Sequence, residues 1–128
     1  MITDYIDTWG LYQCFQGLDD EMVDYDCRED FFAIQPNGKV FQCISINDEM
    51  ITLKYGEKIF RVNPRFYKRV QEPRYKVGDK VEIIGKSLVG HILDVNWHIK
   101  EDAPFYLVEV NGKKSGKRYR DPDLKRVE

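Results

Sequence analysis

The chain has 128 residues, of which 42% are hydrophobic, 13% aromatic and 33% charged, and its formal net charge is -2 at pH 7. These proportions are typical of a globular protein, and the aromatic share excludes a disordered chain. No apolar run approaches the roughly 20 residues that cross a bilayer, and "MITDYIDTWG" is not a secretion signal, so we expect a cytoplasmic protein without a membrane partner.

The charge is divided unevenly along the chain. Residues 1–34 hold nine acidic residues and one basic residue, a net of -8, whereas residues 35–128 hold thirteen acidic and nineteen basic residues, a net of +6. A solvated acidic edge would account for the N-terminal excess. The alternative is that this acidic part lies against a basic face of the remaining chain and partly neutralises it. We predict an acidic N-terminal extension over residues 1–34.

The first half of the chain predicts a meander of short strands. "TWGLYQCF" is compatible with an edge strand, and "CREDFFA" has a weak helical pattern. From Val40 onward, alternating β-branched and aromatic residues predict antiparallel strands. The turn sequence "PNGK" precedes "VFQCISI", "NDE" separates this strand from "MITLKY", and a glycine separates that strand from "KIFRV". "NPRFY" then predicts a short 3₁₀ turn before a last strand.

The second half has the same order of signals. "YKVGDKVEIIG" predicts a strand, and "GHILDVNWHIK" predicts another with Leu93, Val95, Trp97 and Ile99 on one face. "FYLVEV" predicts a third strand, and "NGKKSGK" predicts a glycine-containing hairpin loop. "DPDL" and "KRV" then correspond to the turn and the last strand of the first half.

Two segments with similar sequences indicate an internal repeat. "FRVNPRFYKRV" and "YRDPDLKRV" each place Lys-Arg-Val after a proline turn. An alignment of Gly38 with Gly90 places Phe41 opposite Leu93 and Cys43 opposite Val95. Chance similarity between two β meanders is the alternative. We predict an extension over residues 1–34 packed on a first barrel over residues 35–70, a linker over residues 71–76 and a second barrel over residues 77–128.

Residues Tyr75 to Val127 resemble small SH3-like barrels of the KOW and Tudor type. The resemblance is carried by "VGDKVEI", the glycine of "GHILDV", the strand "FYLVEV" and the closing "DPDLKRV". The first half resembles them less fully, because it has no visible opening strand unless "CREDFFAIQ" supplies one. "WGLY" together with "NGKVFQCISINDEMITLKYGEKIFRV" also resembles small bacterial proteins of uncharacterised function. The resemblance implies a mainly β fold with two SH3-like barrels in tandem, and a non-enzymatic module that binds protein or nucleic acid.

Catalytic and metal-binding chemistry has little support in the sequence. His91 and His98 point to opposite faces of an alternating strand, which does not suit a shared metal. The three cysteines form no CxxC pair, and no phosphate-binding or nucleophile motif is present. We expect no catalytic residue, no metal and no cofactor. A small hydrolase that joins a histidine to Cys14 or Cys27 in space is kept as a minor alternative.

Basic and aromatic residues of the second half are the candidate binding residues. The full set is Trp97, Phe105, Leu107, Lys113, Lys114, Lys117, Arg118, Tyr119 and Arg120. The cations on the hairpin suit a phosphate backbone, and Tyr119 or Trp97 could stack on bases. The sequence pI of about 5.7 and the use of lysine to protect edge strands argue against nucleic acid.

The two apolar residues Phe105 and Leu107 alternate with Tyr106 and Val108, and so they are expected outside the second barrel. Trp97 and Tyr106 are expected to fill the core instead. We expect Phe105 and Leu107 to be covered by the first barrel, by the N-terminal segment or by a partner. The sequence therefore favours a non-catalytic protein-binding module with an unidentified protein partner. The alternative is nucleic-acid binding through the basic hairpin, residues 113–126.

Overall fold

The computed structural model describes residues 2–127 of the protein. The chain divides into two compact units, Met1–Glu72 and Pro73–Glu128. Each unit contains one five-stranded antiparallel sheet, which confirms the predicted mainly β fold. The helices formed by residues 2–127 are all too short or too polar to cross a bilayer.

The first unit contains five strands and one α-helix. Its elements are β1 (Trp9–Tyr12), α1 (Tyr25–Ala33), β2 (Phe41–Asn47), β3 (Met50–Tyr55), β4 (Lys58–Val62) and β5 (Tyr67–Val70), with 3₁₀ turns at Ile2–Tyr5, Asp20–Met22 and Pro64–Phe66. The strand order in the sheet is β4-β3-β2-β1-β5. The last 3₁₀ turn begins with a proline, whose missing N–H costs nothing at the first position of a helix.

Residues 1–34 belong to this unit, and an acidic extension packed on the first barrel, as we predicted for them, is not shown. β1 is an inner strand that pairs with β2 on one side and with β5 on the other. The segment "CREDFFAIQ" is not the missing opening strand, because α1 takes up most of it. The opening strand is "WGLY", which is separated from β2 by the 28 residues 13–40.

Aromatic side chains form the core of the first unit. Phe31 is fully buried and is the only buried residue of α1. Its ring centroid lies 5.1 Å from that of Phe60, 5.7 Å from that of Phe41 and 5.8 Å from that of Tyr12. Edge-to-face and tilted arrangements at these distances are favourable for aromatic pairs. Phe31 thus fixes the helix to the sheet, and the partly buried Cys27 and Phe32 pack against the same core.

The second unit contains five strands and no α-helix within residues 73–127. Its elements are β6 (Lys80–Ile83), β7 (Leu88–His98), β8 (Ala103–Val110), β9 (Lys113–Lys114) and β10 (Leu124–Arg126), with a 3₁₀ turn at Asp121–Asp123. The strand order in the sheet is β10-β6-β7-β8-β9. Counted from the first strand of each unit, the two sheets have the same order, and in both a 3₁₀ turn directly precedes the last strand.

A bulge in β7 changes which of its side chains face the core. The pairing with β8 shifts between Ile92 and Asp94, so that Leu93 is the extra residue. Ile92, Val95 and Trp97 are buried as a result, whereas Leu93 is only half-buried. The prediction of a single face from Leu93 to Ile99 is therefore wrong at both ends, and Ile99 lies beyond the strand with 65% of its surface exposed.

The pairing registers also correct the alignment of the two halves. Gly10 pairs with Phe41 in the first unit, and Val81 pairs with Gly90 in the second, so that Phe41 corresponds to Gly90. The alignment from Gly38 is therefore wrong by three residues. β2 has its own pairing shift, between Cys43 and Ser45, at the position that corresponds to the bulge in β7. The two Lys-Arg pairs, in β5 and in β10, do occupy corresponding positions opposite the first strands.

Candidate functional site

The hairpin between β8 and β9 places the basic residues at the edge of the second sheet. Asn111 and Gly112 have φ angles of 53° and 77°, as a two-residue hairpin turn with left-handed backbone requires. Among residues 2–127, β9 pairs only with β8 and is the last strand in the order. After β9 the chain bulges outward and rejoins the edge at Tyr119, which exchanges two backbone hydrogen bonds with Tyr106.

Phe105 lies on the outer side of β8 and is covered by two arginines of the same unit. The guanidinium carbon of Arg118 lies 4.8 Å from the centre of the Phe105 ring, and that of Arg120 lies 5.8 Å away. Both distances are within the range of a cation–π interaction. The ring is half-buried, whereas Arg118 is exposed. The strand parity predicted from the sequence is correct here, because Phe105 faces away from the buried Tyr106.

A glutamate from the β7–β8 turn fixes Arg120 beside this ring. Glu101 accepts hydrogen bonds from both terminal nitrogens of Arg120, at 2.5 Å and 3.1 Å. Nδ1 of His98 accepts a hydrogen bond from the backbone N–H of Glu101 at 3.2 Å, and the His98 ring lies 6.4 Å from the Phe105 ring. We call Phe105, Arg118, Arg120, Glu101 and His98 the Phe105 patch.

The 3₁₀ turn at Asp121–Asp123 holds Arg120 in place through its backbone. Arg120 is the residue that precedes this turn, and its N–H donates to Oδ2 of Asp123 at 2.8 Å. The hydroxyl of Tyr106 donates to Oδ1 of Asp121 at 2.6 Å. Burial, followed by this hydrogen bond to a carboxylate, raises the pKa of Tyr106, so that its hydroxyl remains a donor at neutral pH. The buried tyrosine therefore anchors the turn that positions the arginine.

Four cations near the patch lack an ion-pair partner within the part of the chain that the structure describes. They are Lys113, Lys114, Lys117 and Arg118, all of them exposed. The ammonium of Lys117 lies 5.6 Å from the centre of the Tyr119 ring. By contrast, Arg120 and Arg126 are paired with Glu101 and Asp79. The basic hairpin thus carries four cations, close together in the sequence, that no carboxylate among residues 2–127 pairs with.

Two of the predicted binding residues are in the core. Trp97 is 7% exposed and Tyr119 is 2% exposed, and neither offers a free ring face for stacking. The indole N–H of Trp97 donates to Oδ1 of Asp102 at 3.2 Å, and the Tyr119 hydroxyl lies 3.2 Å from that of Ser115. Leu107 is half-buried and lies opposite Asp94 in the sheet.

The structure adds Glu101 and His98 to the residues proposed from the sequence. Both belong to a segment, "HIKEDAP", that the sequence indicates only as a strand end and a turn. No local signal relates them to Arg120, which is 19 residues further along the chain from Glu101. Their place in the patch depends on the pairing of β7 with β8, which brings the turn close to the end of the unit.

The remaining titratable groups do not form a recognisable catalytic or metal-binding arrangement within residues 2–127. No group of three or more His, Cys, Asp and Glu residues is placed there to hold a metal ion. Burial, followed by the nearby charges of Asp19 and Asp20, raises the pKa of Cys14 to about 11. Burial also raises the pKa of Cys27 and of Cys43. All three thiols are therefore protonated at neutral pH and poor nucleophiles.

Comparison with known proteins assigns the chain to a family. No protein with a curated description matches the chain. One family model matches residues 1–125, which include almost all of both units. The chain therefore belongs to this family, which is described as a family of unknown function (DUF6960).

Proposed function

We propose that the protein is a non-catalytic binding protein built from two SH3-like barrels in tandem, and that its second unit binds another protein through the Phe105 patch. The common strand order and the 3₁₀ turn before each last strand support the barrel assignment. Small barrels of this type share a fold and not an activity, so the proposed function depends on the patch. A bacterial and cytoplasmic setting stays a prediction.

The single observation that carries this proposal is the position of Arg118. Its guanidinium lies 4.8 Å from the centre of the Phe105 ring, and no carboxylate among residues 2–127 pairs with it. The ring restricts the arginine side chain before binding and so lowers the entropy lost on association. The planar guanidinium can donate two parallel hydrogen bonds to a carboxylate. Arginine and aromatic residues are also enriched in protein interfaces.

The Arg120–Glu101 pair gives the patch both signs of charge. It leaves Arg118 as the free cation beside a neutralised arginine and a half-buried ring. Such a surface suits a protein segment that presents one carboxylate and an apolar group, more than it suits a polyanion. His98 accepts a hydrogen bond at Nδ1 and the cysteine thiols are protonated, so neither is poised to act as a base or a nucleophile.

An exchange of charge at Arg118 tests this proposal. The immobilised full chain is used to capture partners, and each captured protein is purified and titrated against wild type, Arg118→Glu and Lys86→Glu by calorimetry. Lys86 is an exposed lysine in the β6–β7 turn, so the control makes the same charge change away from the patch. We expect Arg118→Glu to weaken binding at least about tenfold and Lys86→Glu to change it less than about twofold. Equal affinities of the two variants for every partner would exclude the patch.

A second candidate function, nucleic-acid binding through the basic hairpin, is favoured by the four unpaired cations. The second unit has twelve Lys and Arg against nine Asp and Glu residues, a net of +3. The burial of Trp97 and Tyr119 counts against it, because base stacking would need exposed rings. The test is anisotropy with a labelled single-stranded oligonucleotide at low and at moderate salt. Nucleic-acid binding predicts a steep loss of affinity with salt, and no binding at low salt would remove this candidate.

A further inference from the structure

The largest difference between the units is the connection between their first two strands. In the second unit, four residues, 84–87, join β6 to β7. In the first unit, the 28 residues 13–40 join β1 to β2 and include α1. The insertion contributes Cys14, Val23 and Phe31 to the buried core, whereas all other side chains of α1 are partly or fully exposed. The exposed remainder of the insertion is therefore available for another role.

An open depression of about 410 Å³ lies within this insertion. Its lining consists of Gln16, Asp20, Tyr25, Asp26, Arg28, Glu29 and Phe32. We call it the α1 depression. All lining residues come from α1 and from the segment that precedes it, so the depression is formed by the first unit alone.

The lining of the α1 depression is negatively charged. It contains three carboxylates and one guanidinium. Arg28 is already engaged, because its Nε and Nη2 donate to the carbonyl oxygen of Val23 at 3.3 Å and 2.9 Å. Asp20 accepts from the backbone N–H of Gly17, whereas Asp26 and Glu29 have no cationic partner within residues 2–127. Two carboxylates of the lining are thus free to pair with an added cation.

Exposed apolar side chains belong to the lining of the α1 depression and to the turn next to it. Tyr25, in the lining itself, is 79% exposed. Phe15 and Leu18, in the tight turn next to Gln16, are 58% and 78% exposed. Large apolar side chains grouped around a depression are typical of a site for a partner and uncommon on an inert surface. Arg28 illustrates the chemistry, because its guanidinium carbon lies 5.4 Å from the centre of the Tyr25 ring.

We propose that the α1 depression binds a positively charged peptide segment of a partner protein. An arginine or lysine of the segment would pair with Asp26 and Glu29, and an adjacent apolar residue would contact Phe15, Leu18 or Tyr25. Complementary charge supports this occupant, because the first unit has thirteen Asp and Glu against eight Lys and Arg residues, a net of -5. The site is distinct from the Phe105 patch, and its occupant has the opposite charge.

The test uses a short fluorescein-labelled peptide of alternating arginine and leucine, titrated against the full chain at physiological salt. The variant Asp26→Asn/Glu29→Gln removes two charges from the depression. The control Asp48→Asn/Glu57→Gln removes two exposed charges from turns of the same unit. We expect the first variant to bind at least about tenfold more weakly and the control to change affinity less than about twofold. Equal weakening in both variants would show unspecific attraction and would overturn the proposal, as would a failure of the wild type to bind.

Two further variants separate the contributions. Tyr25→Ser keeps the charge and removes the exposed ring, and we expect it to weaken peptide binding severalfold. Arg118→Glu lies in the other unit and should leave the affinity for the peptide unchanged, so that failure of the Phe105 patch and failure of the α1 depression are distinguishable. Thermal unfolding of each variant checks that the loss of affinity is not a loss of fold.

Discussion

In the first unit the outer side of β4 is covered, whereas in the second unit the corresponding strand β9 is at an uncovered edge. Val23 forms a bridge with Val62, and the Asp24 N–H donates to the carbonyl oxygen of Arg61 at 2.9 Å. β9 has no such neighbour within residues 2–127 and consists of two lysines. Natural proteins protect open edges with short strands and lysine. One strand order therefore gives two different surfaces, because the segment between the first two strands is long in one unit and short in the other.

The two units also differ in which strand supplies a glycine where the first two strands pair. Where the first two strands meet, the first unit pairs Gly10 with the buried Phe41, and the second pairs the buried Val81 with Gly90. A large residue is thus opposite a glycine in both, but the strands that supply them are exchanged. The space that a Cβ would need is occupied in both cases, by the ring of Tyr67 at Gly10 and by the carbonyl oxygen of Glu109 at Gly90. The comparison shows that the position, and not the residue type, is common to the two sheets.

The most damaging single change should be Phe31→Ala in the first unit. Because the ring is fully buried and packs on four other aromatic rings, its removal leaves a cavity and should lower the free energy of unfolding by about 3–5 kcal/mol. Urea unfolding followed by Trp9 fluorescence, in a Trp97→Phe background, reports on this unit.

The matched control for Phe31→Ala is Tyr25→Ala on the same helix. Its side chain is 79% exposed, and we expect a loss below about 1 kcal/mol. The second unit has no helix at this point in its strand order, so the experiment measures how much of the first unit's core depends on the insertion. A Phe31→Ala variant as stable as Tyr25→Ala would show that α1 is an appendage.

The glycine exchange predicts losses of intermediate size in both units. In Gly90→Ala the added methyl group would overlap the carbonyl oxygen of Glu109, and in Gly10→Ala it would lie 2.7 Å from that of Lys68. Backbone atoms cannot easily give way, so we expect each variant to lose about 1–3 kcal/mol of unfolding free energy. Gly116→Ala is the control, since no atom lies within 4 Å of the added group. Neutral behaviour of Gly90→Ala would contradict the close approach of β8 to β7 at this glycine.

The sequence predicts the locally patterned parts of this fold and misses those set by distant pairing. β3 and β4 have the bounds that the alternation of apolar residues indicates. The place of β1 is not predictable in this way, because its partners are β2 and β5 and the strand has only four residues. A bulge is equally invisible, since one extra residue at Leu93 reverses the parity of the residues before it.

The candidate site shows the same division. The outward position of Phe105 and the basic character of the hairpin are predictable from parity and composition. Stacking on bases by Trp97 and Tyr119 would need exposed ring faces, whereas both rings are buried in a small core. Glu101 lies in the turn between β7 and β8, 19 residues before Arg120 in the sequence. Only the pairing of β7 with β8 in the folded unit brings it to Arg120.

The smallest predicted effect concerns the first residue of the last strand, Tyr67 in the first unit and Leu124 in the second. Burial, opposed in part by the hydrogen bond with Thr8, raises the pKa of Tyr67 from 10.0 to about 12. An unfolded tyrosine ionises at lower pH, so the stability contributed by the neutral form is complete below pH 10 and is lost as the pH rises toward 12. Leu124 does not titrate.

Tyr67→Phe should therefore flatten the alkaline loss of stability in the first unit. Between about pH 9 and pH 11 we expect its unfolding free energy to fall by about 1 kcal/mol less than that of the wild type. Trp9 fluorescence in the Trp97→Phe background is again the measurement, and Tyr25→Phe is the control because that ring is exposed. Wild type and variant are compared by the slope of the unfolding free energy against pH, because the variant also lacks the Thr8 hydrogen bond at every pH. Identical slopes for wild type and Tyr67→Phe would mean that water reaches the Tyr67 ring in solution. Tyr67 would then be packed less closely against the core of the first unit than Leu124 is against that of the second.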